Sequence, residues 1–136
     1  MKTFILAPPV FPTPTLTMLE PAELVAKLDV KKIKRIFQKG TDPEIDSYSG
    51  FFDNGHKKST GLGDYLKKKD ISEVYIVGLA TDYCVKFTAL DAVKLGFKTS
   101  LIIDACRGVN IQKDDSDKAV QEMKLKGINI IRTSEF

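Results

Sequence analysis

Apolar and polar positions along this chain follow a repeating order, in which short β-branched runs alternate with stretches of helical spacing. Val74-Tyr75-Ile76-Val77 is an unbroken apolar run that ends at Gly78-Leu79, the pattern of a strand buried in a parallel sheet. Phe87, Ala89, Leu90, Ala92, Val93 and Leu95 follow, with Gly96 as the stop, and predict an amphipathic helix of about four turns. Residues 99 to 103 form the next strand. Asp114, Asp115 and Asp117 then open a helix whose inner face carries Ala119, Val120 and Met123; Gly127 ends it, before a last strand over residues 128 to 131. Upstream, a helix begins at Thr60 or Gly61 and runs through Leu62, Tyr65 and Leu66. Residues 33 to 37 read as a short strand, and Pro21 to Leu28 as a short helix with proline in its first turn.

Strands alternating with helices predict an α/β domain: a three-layer parallel sheet flanked by helices, Rossmann-like in outline. The stretch from Gly40 to Thr60 is long and structured only by turn formers, and a loop of that length is usually a functional one. Residues 1 to 20 differ from everything after them. Pro8, Pro9, Pro12 and Pro14 crowd together, so this segment reads as a poorly ordered, Pro-rich leader, neither strand nor helix. The ordered domain is expected over residues 21–136.

Composition narrows the function. The chain has 136 residues and a net charge of +3, with lysines interspersed among acids, which argues against nucleic acid as a partner. No apolar run approaches the roughly 20 residues of a membrane span. The apolar start over residues 4 to 7 is cut off by Pro8-Pro9 before any signal-peptide cleavage site. Two cysteines form neither a disulfide framework nor a metal-binding pair, which fits a reducing, cytoplasmic setting.

The chemistry concentrates at the carboxyl ends of the predicted strands, where open α/β sheets place their ligands. Cys84 falls in the first turn of the helix after Val74–Leu79, where free N–H groups and the helix dipole favour a thiolate. Position alone fits a nucleophile and a small packed hydrophobe equally. Asp82 reads as the cap of that helix start, Cys106 as a buried structural thiol, and His56, the single histidine, as solvent-exposed in a polar loop.

Three blocks carry a resemblance. Lys39-Gly40-Thr41-Asp42-Pro43-Glu44-Ile45-Asp46-Ser47-Tyr48-Ser49-Gly50-Phe51-Phe52-Asp53-Asn54, Gly78-Leu79-Ala80-Thr81-Asp82-Tyr83-Cys84-Val85 and Asp104-Ala105-Cys106-Arg107-Gly108-Val109 together resemble the nicotinamidases of the isochorismatase-like cysteine hydrolases. The likeness runs from about residue 22 to residue 136. It implies deamidation of nicotinamide to nicotinate in NAD salvage, through a cysteine thioester. Cys84 then matches the nucleophile and Lys39 the assisting lysine. The backbone N–H groups of Ala80 and Cys84 match the oxyanion hole, entered through a cis Leu79–Ala80 bond. Tyr48, Ala80 and Tyr83 match substrate-binding positions.

The family pattern also begins with an apolar strand ending in a catalytic aspartate, followed by an aspartate and histidines that hold a divalent metal. The first aspartate here is Asp29. The expectation is therefore an N-terminally truncated or replaced version with no metal cofactor, impaired turnover, and a small-molecule amide as partner. An incomplete sheet would also favour homo-oligomers. An inactive fragment and a hydrolase of ureido or carbamoyl substrates are the alternatives.

Overall fold

A computed structural model describes residues 1–7 and 30–135. Four parallel strands form one sheet in the order β1 (Lys2–Ala7), β2 (Glu73–Leu79), β3 (Lys98–Arg107) and β4 (Asn129–Ile131). Three α-helices accompany them: α1 (Leu62–Lys68), α2 (Lys86–Lys94) and α3 (Asp115–Leu125). The alternation of β-branched runs with helical periods thus yields the parallel α/β sheet that it predicts.

Strand register sorts the side chains. Ile5 lies beside Ile76, and Ile76 beside Leu101, so these residues share one face with Val74 and Ala7. That face forms a single core with Leu62 and Leu66 of α1, Ala89 and Ala92 of α2, and Met123 of α3. The i,i+4 pairs Leu62/Leu66 and Ala119/Met123 are the buried positions of α1 and α3. On the opposite face Phe4 stacks on Tyr75 at 5.3 Å between ring centroids.

Two segments depart from the sequence reading. Residues 2 to 7, assigned above to a leader without strand or helix, form β1 and pair in parallel with Glu73–Gly78. The Thr3-Phe4-Ile5-Leu6 run before the prolines is β-prone and finds its hydrogen bonds on β2. Residues 33 to 37 join no strand. Only three apolar residues stand there among cations; Ile36 is exposed, and Phe37 packs instead against Tyr65 of α1. The proposed helix over Pro21 to Leu28, and the rest of the Pro-rich segment from residue 8, lie outside the described residues.

Candidate active site

The site is assembled where β2 turns into α2. A register shift between Ile76 and Gly78 breaks the β2–β3 ladder, Gly78 takes a positive φ of 123°, and the Leu79–Ala80 peptide is cis, as the resemblance implies. Thr81–Val85 then forms a turn of π-helix, in which the N–H of Val85 donates to the Ala80 carbonyl at 3.1 Å. The expected helix over the thiol is thus a π turn running into α2. Single π turns of this kind recur at functional sites. Cys84 sits inside the turn with 6% of its surface exposed.

The long loop lies against this corner. Its anchor is Phe51, 1% exposed and stacked on Phe97 at 6.1 Å. Gly50 donates its N–H to Thr88 Oγ1 of α2 at 2.9 Å, and Thr60 Oγ1 donates to the Gly50 carbonyl at 2.7 Å. This docking carries Tyr48 to the thiol corner, where its ring lies 5.6 Å from that of Tyr83 and 5.6 Å from that of Phe87. Burial first, and then the nearby Asp46 carboxylate, push the pKa of the Tyr48 hydroxyl above its ordinary value. Lys39 joins the loop from the other side, with its ammonium donating to the Tyr48 carbonyl at 2.5 Å. The structure thus brings Tyr48, Tyr83, Ala80 and Cys84 to one corner, with Lys39 tied to the segment that faces it. The surface clefts along Arg35–Gln38 and around Lys39–Thr41 are lined by none of Tyr48, Ala80, Tyr83 and Cys84.

Three side chains behave differently from the sequence reading or were absent from it. Asp82 makes no cap bond within its own turn; its carboxylate instead accepts the N–H groups of Val109 and Asn110. His56 is 52% exposed, yet its Nε2 lies 3.6 Å from Asp91 Oδ1 and its ring stacks on Phe52 at 4.9 Å. It is exposed, as the sequence reading has it, and lies beside Asp91 of α2. Asp91, buried at 5% exposure, was the available signal: an acid set among the apolar positions of a helix calls for a partner. Phe87, the third ring of the aromatic group, reads from periodicity as a core residue, but is 37% exposed beside Tyr48.

Cys106 is buried, with its Sγ donating to the Ile102 carbonyl at 3.3 Å, and burial pushes its thiol pKa up. Limited alkylation near neutral pH should consequently label Cys84 before Cys106, read by peptide mass mapping. Preferential labelling of Cys106 would contradict Cys84 as the activated thiol.

A metal centre does not fit the described residues. No group of three or more His, Cys, Asp or Glu side chains converges among them, and the one histidine is engaged with Asp91. Among the described residues no helix is long and apolar enough to cross a membrane.

A parallel sheet with a thiol on a π turn after its second strand, faced by an aromatic, lysine-bearing loop, defines an α/β domain built around a cysteine corner. Comparison with known proteins gives the family: the isochorismatase domain matches residues 20–135, and the chain belongs to the isochorismatase family. Nicotinamidase of Escherichia coli K12 is 49% identical over 117 residues, covering 86% of this chain and 55% of that protein. Among solved structures, PnC1 from L. infantum in complex with nicotinate aligns with TM-score 0.78 at 34% identity, covering 83% of this chain and 56% of the other. The yeast nicotinamidase bound to the inhibitor nicotinaldehyde aligns with TM-score 0.72 at 36% identity, covering 76% and 48% respectively. The chain spans about half the length of the curated relatives it matches.

Proposed function

We propose that this chain carries a nicotinamidase-type amidase centre, converting nicotinamide and water to nicotinate and ammonia in NAD salvage. The observation that carries this reading is the cysteine corner itself: a thiol in the first turn of a helix, flanked in the chain by Tyr83 and Phe87, whose rings gather on Tyr48 and offer a surface against which a flat pyridine can lie. The Cys84 thiolate attacks the amide carbon, forming the C–S bond and moving the carbonyl electron pair onto oxygen. The N–H groups of Ala80 and Cys84, at the entry of the turn, are the donors for that oxyanion. Its collapse, with a proton delivered to the nitrogen by solvent water, breaks the C–N bond to release ammonia and leaves a thioester; hydroxide or water then breaks the C–S bond, giving nicotinate and the free thiol. Lys39 contributes positive charge beside Tyr48, which favours the thiolate.

Turnover on this reading is low. The family pattern carries a catalytic aspartate at the end of its first strand, and the first aspartate of this chain is Asp29, outside the described residues. Loss of a general base alone typically lowers rate by a factor of about 10² to 10⁴. Ammonia release from nicotinamide should therefore fall below that of the Escherichia coli relative by at least about that factor, and should not change with a chelator. Turnover equal to that of the relative, or abolished by chelation, would contradict the assignment of what the site lacks. The two free thiols fit a cytoplasmic setting. Phe4 and Leu6, exposed at 59% and 43% on the edge strand of the described sheet, favour association between copies.

A further inference from the structure

We propose that Asp82 is a positioning residue for the thiol: its carboxylate clamps the π turn that carries Cys84 to the loop following β3. Asp82 is 7% exposed, and its two oxygens are used separately. Oδ1 accepts the N–H of Val109 at 3.0 Å and Oδ2 the N–H of Asn110 at 2.8 Å, across 27 and 28 residues of sequence. Two successive amides aimed at one carboxylate give a buried charge the donors it requires, and charge-assisted bonds of this kind are the stronger ones.

The receiving loop is itself held. Asn110 takes the left-handed region at φ 53°, and its Oδ1 accepts the Ser116 N–H at 2.8 Å in the first turn of α3. Gly108 lies so close to Ser116 that a Cβ there would collide with the hydroxyl. One rigid route therefore runs from α3 through Asn110 and Asp82 to the turn of Cys84. An asparagine at position 82 would keep the shape but offer one acceptor only, turning its NH₂ toward an amide that needs an oxygen.

The inference rests on Cys84 as the reactive thiol, which the Cys84→Ala assays test separately; the measurements here need no turnover. In the wild type, native-state hydrogen exchange at Val109 and Asn110 should report the same opening equilibrium as Tyr83 and Val85, whose N–H groups donate to the Ala80 carbonyl. In Asp82→Asn, both sets should exchange at least tenfold faster while the β2–β3 ladder is unchanged. Alkylation of the nearly buried Cys84 should rise by a similar factor, with Cys106 as the unchanged internal reference. Faster exchange at Val109 and Asn110 with Cys84 unaltered would show that Asp82 fastens only the loop, and would overturn the proposal. Should Asp82→Asn unfold the chain, Cys106 reacts too, and the wild-type exchange decides: Val109 and Asn110 opening more than tenfold more readily than Tyr83 and Val85 sinks the idea.

Discussion

The Cys84→Ala variant is expected to release no ammonia from nicotinamide above background, while melting within a few degrees of the wild type. Cys84 is a small side chain at 6% exposure, so losing its sulfur removes little packing. The chemistry has no substitute for it. Removing the nucleophile of a fully equipped hydrolase costs on the order of 10⁶ in rate, since the remaining groups act only through it. On the proposed low turnover the observable drop is bounded by the starting rate, so the assay needs long incubation and the variant as its blank. Cys106→Ala serves as the companion: it removes a thiol bonded to the Ile102 carbonyl, away from the aromatic group, and should leave turnover in place. Ammonia release that persists in Cys84→Ala would transfer the chemistry to another residue.

Gly78→Ala should be the most damaging single methyl in the described fold. Gly78 has φ +123°, and an added Cβ would run into the backbone of Ala7 on the neighbouring strand. Backbone cannot step aside as a side-chain tip can, so β1 must separate from β2 or β2 must twist. Strain at a positive φ and overpacking against backbone together come to about 3 kcal/mol or more, a large share of a typical domain's stability. A fall in Tm of roughly 10 °C, or no soluble protein, is the expected outcome. Gly96→Ala isolates the strain alone: its φ is +89° with nothing within 4 Å, so about 1 kcal/mol is expected there. Equal effects at the two positions would mean that β1 does not press on Gly78.

The cysteine corner was legible because its signals are local. An apolar run, a short turn and a helical period place Cys84 on a strand-to-helix junction without knowledge of anything distant, and α1, α3 and β4 follow from the same periods. What the chain conceals is pairing across long separations. Lys2–Ala7 is a strand only because Glu73–Gly78 offers it a ladder, and four nearby prolines draw attention away from it. Ile33 to Phe37 has a strand's composition without a partner, and its one large ring goes to Tyr65. His56 and Asp91 stand 35 positions apart, and Asp82 and Asn110 are separated by 28; nothing in either neighbourhood announces the other. The loop's role was readable from its length and turn residues, but its docking by Gly50 onto Thr88 was not, because a threonine in a helix gives no sign of accepting a backbone N–H from elsewhere.

Nicotinaldehyde is the probe that reaches the central claim most directly, because an aldehyde adds to a thiolate without a leaving group or a second proton transfer. Its binding therefore reads the thiol, the oxyanion donors and the aromatic group even where turnover is slow. Titration of wild type, Cys84→Ala and Cys106→Ala, followed by the ligand-dependent rise in melting temperature, gives the answer. The account predicts saturable stabilisation in the wild type, retained in Cys106→Ala and lost in Cys84→Ala; stabilisation that survives Cys84→Ala, or vanishes with Cys106, would contradict it.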